Sequence, residues 1–169
     1  MQAGARSGRT EAVGAHPLAE LLACPPATGN LLNSTAQSIE YDAGETVFRQ
    51  LGLCKGLYVI IAGTFLRKAN RLNAHVTLGP ARPGDVVELA AALGSDCHTY
   101  TLSAQSSGTV LLLPMEALES AFESYPPLRM QLLEELAREV SRAYQVCSFS
   151  RILPVRRRIA MVGAQAAQL

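Results

Sequence analysis

Between residues 35 and 113 the chain is cut by glycine into short apolar or alternating runs, and this rhythm constrains the fold more than any other feature of the sequence. The runs occupy 35–41, 45–50, 56–61, 64–69, 74–79, 100–105 and 109–114, with glycines at 44, 52, 56, 63, 79, 84, 94 and 108 around them. Each run has the length of a strand and is too short for an ordinary helix. Turn signals recur at about 8–12 residues, the spacing of packed antiparallel sheets. The pattern predicts a sandwich or roll of two sheets, mainly β with flanking helices. One run departs from it. Residues 86–93 (Val-Val-Glu-Leu-Ala-Ala-Ala-Leu) are rich in helix formers and stop at Gly94, which predicts one or two turns of helix inserted between strands.

Helical spacing frames this β region. Upstream, Leu18, Leu21 and Leu22 predict a short helix over 17–24, ended by Pro25-Pro26, with a further turn over 28–33. Downstream of Pro114, Leu118 and Phe122 stand four apart in a helix over 115–125, and Pro126-Pro127 opens a long helix over 127–152. Along it Leu133, Leu136, Val140, Ala143, Cys147 and Ser150 alternate by three and four, the spacing of a coiled-coil seam. A second stripe, Leu128, Leu132, Val146, Phe149 and Leu153, lies partly on another face. One stripe can then cover the β body while the seam meets a second copy, so a homodimer is expected. The expected organisation is a disordered tail over 1–15, a β-roll domain over 16–126, a dimerisation helix over 127–153, and a new helical unit beginning over 154–169 after Pro154.

Composition excludes several classes. Hydrophobic residues make up 49% of the chain, enough for a real core. A net charge of +1, no tryptophan and 5% aromatics exclude a globally basic nucleic-acid binder and a stacking platform for single strands. The charge is uneven: residues 17–150 hold 13 acids against 9 bases, whereas Arg151, Arg156, Arg157 and Arg158 crowd a C-terminal segment with no acid. No apolar run is long enough to span a membrane, and the N-terminus lacks the apolar core of a secretory signal, so a cytoplasmic protein with reduced thiols is expected. Cys24, Cys54, Cys97 and Cys147 form no CxxC pair, and His16, His75 and His98 form no HxH pair. Neither a local zinc site nor a cupin-type metalloenzyme is expected, and no GxSxG, P-loop or dinucleotide fingerprint points to an enzyme.

Three segments, in this order of elements, resemble the effector half of the Crp/Fnr family of transcription regulators, which includes the cyclic-AMP receptor and the fumarate–nitrate regulator. Residues 42–65 carry Gly44, Leu57, Tyr58, Ile60 and Gly63 at the family's positions, and residues 78–93 resemble its Pro-Gly-Asp segment leading into the ligand cassette. Residues 150–160 resemble the hinge into the first helix of its winged helix-turn-helix domain. The resemblance implies a double-stranded β-helix (jelly roll) of the cyclic-nucleotide-binding kind, a long dimerisation helix, and no enzymatic activity. It also implies that DNA is contacted only through a domain of which 154–169 is the beginning, with no recognition helix in this chain.

For a ligand, the resemblance implies a Gly-Glu-Leu cassette followed, ten residues after the Glu, by Arg and then Ser or Thr. The candidate pocket residues are Gly84, Asp85, Val87, Glu88, Leu89, His98 and Thr99. Glu88, Leu89 and Thr99 keep the pattern, with the carboxylate implied for a ribose hydroxyl. Val87 replaces the Gly and tolerates a left-handed backbone poorly. His98 replaces the Arg and supplies no permanent charge for a phosphate. Ala143 and Tyr144 stand where the cyclic-AMP receptors have a Thr-Ser pair for the base. The expectation is an effector-sensing and dimerisation domain with a departed cyclic-nucleotide pocket, cyclic nucleotide not favoured and the effector unassigned. The alternatives are a dimerisation module without a ligand, or a haem or redox sensor. His75, His98, Cys54 and Cys97 have the residue types for haem, Cys97 and Cys147 for redox; with Cys24 alone near the N-terminus, a four-cysteine cluster is not expected.

Overall fold

The structure, a computed structural model, describes residues 18–71 and 74–142. Among the described residues eight antiparallel strands form two sheets of four. The first has the order β1 (Gln37–Tyr41), β8 (Gly108–Pro114), β3 (Gly56–Ala62), β6 (Val86–Val87). The second has the order β2 (Thr46–Phe48), β7 (Thr101–Ala104), β4 (Phe65–Arg71), β5 (Ala74–Ala81). Helices α1 (Leu18–Leu21), α2 (Pro26–Thr35) and α3 (Met115–Ser124) flank the sheets, and a further helix, α4, covers 127–142. The chain divides into two compact units between Leu133 and Glu134, the first holding both sheets and α1–α3. In the second, the described residues are helical and tied by Arg138 to Glu134 and Glu135 and by Arg142 to Glu135.

The runs on β3 and β8 are unbroken rather than alternating because both faces of their sheet are covered. Val110, Leu112, Tyr58 and Ile60 point into the roll, where they meet Phe48, Phe65 and Leu102 from the other sheet and Tyr100 just before β7. Their neighbours Leu111, Leu113, Leu57 and Val59 are also fully buried, on the side where α2 and α3 pack. Gly63 ends β3 with φ +84°, and a Cβ there would stand 2.6 Å from the Ser107 carbonyl oxygen. Only glycine satisfies both the torsion and the approach.

Two elements differ from the expectation. Pro26 lies in the first turn of a ten-residue α2, where its missing N–H costs nothing, so the helix is longer than the turn predicted over 28–33. Within 86–93 the helix begins only at residue 89. The β-branched pair Val86–Val87 joins β3 as β6, and Glu88 then leaves the strand in the left-handed region. The helix closes in a wide last turn, with Asp96 N–H donating to the Ala91 carbonyl at 3.3 Å.

Candidate functional site

Three of the four non-glycine residues with positive φ among those described gather about one residue, His98. Glu88 (φ +66°) carries the carboxylate that binds it, Leu51 (φ +68°) donates its N–H to the His98 carbonyl, and Asp96 (φ +56°) stands two residues before it. Each such torsion costs roughly 1–2 kcal/mol for an L-residue and persists only where surrounding contacts impose it.

The contacts that do so form a closed network. Glu88 is 2% exposed and His98 3%. His98 Nδ1 lies 2.6 Å from Glu88 Oε2. Thr99 donates its N–H to Oε2 at 3.0 Å and its hydroxyl to Oε1 at 2.8 Å. The Glu88 N–H donates to the Tyr100 hydroxyl at 3.0 Å, which holds the left-handed turn. The imidazole stacks on Phe48, ring centres 3.9 Å apart and planes 10° from parallel, with Tyr58 beside it at 5.7 Å. A buried carboxylate is tolerable only with such compensation. Burial pushes the pKa of the Tyr58 phenol and of the nearby Cys54 thiol up.

Of the expected pocket residues, the structure brings Glu88, His98 and Thr99 together. Val87 and Leu89 flank them as buried core. Val87 keeps strand geometry, so the left-handed residue is Glu88 itself. Gly84 and Asp85 lie elsewhere, in the turn before β6. There Asp85 Oδ2 accepts from the Arg82 N–H, and Gly84 and Asp85 pair through their backbones with Ile60. His75 is exposed on β5 and bound to Asn70. No group of three or more His, Cys, Asp or Glu suited to a metal occurs among the described residues. On α4, Leu128 and Leu132 are buried, Leu136 is half-buried, and Leu133 and Val140 are exposed. Ala143 and Cys147, like Arg156–Arg158 and the segments 1–15 and 154–169, lie outside the described residues.

A family model described as "Cyclic nucleotide-binding domain" matches residues 38–125. The chain belongs to this family. The match covers the whole roll, from β1 to the end of α3, as the resemblance in the sequence implied. No curated protein sequence matches the chain. Among solved structures, the catabolite activator protein of Thermus thermophilus is similar with a TM-score of 0.66 at 22% identity, over 74% of this chain and 59% of that one. The sensor domain of the regulator DNR from Pseudomonas aeruginosa gives 0.63 at 19%, over 77% and 87%. The regulator CLP of Xanthomonas campestris, described as c-di-GMP responsive, gives 0.62 at 18%, over 73% and 63%. The chain thus spans about three fifths of the Thermus activator. At these identities the likeness establishes the fold. Among the described residues no helix is long and apolar enough to cross a membrane.

Phe48, Tyr58 and Tyr100 belong to the site as much as the cassette does, and sequence reasoning finds them only as strand residues. Tyr58 and Tyr100 could have been suspected: a buried phenol needs a hydrogen-bond partner or a wet edge. Nothing in the spacing links Phe48 to His98, 50 positions later.

Proposed function

We propose that this chain is the effector and dimerisation half of a Crp/Fnr-type transcription regulator whose cyclic-nucleotide pocket has been closed by its own side chains. The observation that carries this reading is the saturation of Glu88. A carboxylate has about four acceptor directions. Three are taken by His98, the Thr99 N–H and the Thr99 hydroxyl. The fourth belongs to a group 2% exposed. For a ribose hydroxyl to bind, the His98 contact must break, and breaking a buried pair costs about 3–5 kcal/mol. A new hydrogen bond to a charged acceptor returns about 1.5–3 kcal/mol. The balance opposes the nucleotide, and His98 offers the phosphate no fixed cation in exchange. An effector of this domain enters without Glu88.

The dimer half of the reading rests on Leu133 and Val140, which the fold leaves exposed on α4 in seam register. Calorimetric titration with cyclic AMP at pH 7 tests the pocket. We expect no saturable heat; one site per chain with a Kd of about 1 µM or tighter overturns the closed-pocket reading. Leu136→Asp with Val140→Asp should give monomers in sedimentation, since it places unpaired charge in an apolar seam. A dimer that survives both substitutions removes the seam.

A further inference from the structure

The turn between β2 and β3 exposes two leucines on a rigid frame. Leu51 is 80% and Leu53 72% exposed. The turn is held by Leu51 N–H to the His98 carbonyl (2.9 Å), His98 N–H to the Gly52 carbonyl (2.8 Å) and Cys54 N–H to the Asp96 carbonyl (2.8 Å). Gln50 is bound at the base, accepting from Asn70 N–H at 2.7 Å. A leucine on a loose loop carries no message, but a left-handed leucine fixed by backbone bonds and left in water is strained and unburied at once. Arg49 and Lys55 flank this tip and are exposed; among the described residues neither side chain makes an ion pair.

The same unit carries a complementary feature. Leu21, Ile61 and Gly84 line a groove of about 390 Å³ between α1 and β3, floored by the buried Leu18, Val59 and Ile60, with Glu20 also among its lining residues. Glu20 is exposed and, among the described residues, makes no ion pair. Tip and groove lie at opposite ends of β3. Gly56 and Ile61 are five residues apart on an extended strand, about 17 Å, and Leu53 lies beyond Gly56, so a chain does not fill its own groove.

We propose that the Leu51–Leu53 tip of one copy docks in the α1/β3 groove of another, with Arg49 and Lys55 facing Glu20. The occupant is a second copy because an apolar tip matches a groove edged by Leu21 and Ile61, and two cations match a carboxylate, none of which makes an ion pair among the described residues. The contact is head-to-tail and separate from the α4 seam, so it extends an assembly rather than closing a pair. Two small features bury well under about 1,200 Å², so the contact is weak.

Sedimentation of the full chain over a concentration series tests it. The weight-average coefficient should keep rising at high concentration. Leu51→Asp with Leu53→Asp should abolish the rise, and so should Leu21→Asp; a circular dichroism spectrum identical to the parent shows that each variant is folded. A mixture of the tip variant with the groove variant should regain the rise that neither shows alone. Glu20→Lys should abolish it, and adding Arg49→Glu and Lys55→Glu should restore it. A flat series for the parent chain overturns the proposal, as does a rise that survives both the tip and the groove substitutions. Failure of the mixture to recover also overturns it. If the parent does not self-associate but its tip binds anionic vesicles, the occupant is a bilayer and the proposal is wrong.

Discussion

Replacing His98 by alanine removes the closest partner of a buried carboxylate and tests whether the Glu88–His98 pair is the keystone of the roll. Glu88 keeps the Thr99 N–H at 3.0 Å and hydroxyl at 2.8 Å but loses the 2.6 Å contact, with no water to replace it at 2% exposure. Breaking such a pair costs about 3–5 kcal/mol. Glu88→Gln should cost less, about 1–3 kcal/mol: the amide oxygen still accepts from the Thr99 hydroxyl and the amide nitrogen can donate to the imidazole, but that nitrogen then faces the Thr99 N–H, which loses its 3.0 Å acceptor. The double variant buries no charge, so its cost should fall short of the sum by about 2 kcal/mol. Urea unfolding followed by circular dichroism at one fixed chain concentration reads all four corners of the cycle. A loss under about 1 kcal/mol for His98→Ala, or additive losses, would refute a buried charge compensated by His98.

Three further outcomes are expected. Stability should fall on going to alkaline pH: burial raises the pKa of Cys24, Cys54, Tyr41 and Tyr58 above their ordinary 9.0 and 10.0, so the unfolded chain releases protons that the native chain retains. A denaturation midpoint unchanged between neutral pH and the alkaline range above those values would contradict this. Leu51→Gly should raise stability by about 0.5–1 kcal/mol, since it relieves a left-handed torsion while giving up a side chain that is 80% exposed; a loss on thermal unfolding would show that Leu51 is held by contacts rather than strained. Gly29→Ala should cost about 1–3 kcal/mol although alanine is the better helix former, because its Cβ would stand 2.7 Å from that of Ala19; neutral or improved stability would mean that α1 moves aside freely.

The fold was legible because its determinants are local and repeated. Each of the seven predicted strand runs overlaps a strand found in the structure, with ends that differ by one or two residues, and the switch to helical period at Pro114 marks the end of β8 and the start of α3. Errors fell where two local signals compete. Val86–Val87 is short enough that its alanine-rich continuation predicts helix, yet strand pairing with Tyr58 and Val59 decides it. Pro26 reads equally well as the end of one helix or the first turn of the next.

The site was legible only as a set of substitutions in a cassette. That Val87 and His98 depart from the family pattern is visible in the sequence; what the departure does is not, because it depends on Phe48 and Thr99 reaching His98 and Glu88 from different strands and turns. The left-handed Glu88 shows how these pieces act together. The family pattern puts glycine one position earlier, and here a β-branched residue keeps that position in the strand. The torsion the turn requires then falls on Glu88, whose N–H is caught by Tyr100 and whose carboxylate is caught by His98 and Thr99. A strained torsion at the carboxylate is stable only while its partners, Tyr100 among them, are in place, so the departures at Val87 and His98 are parts of one change rather than two independent losses. On that argument His98→Arg alone does not reopen the pocket: the arginine gains a cation, but Glu88 stays in a turn that Val87 and Tyr100 still impose.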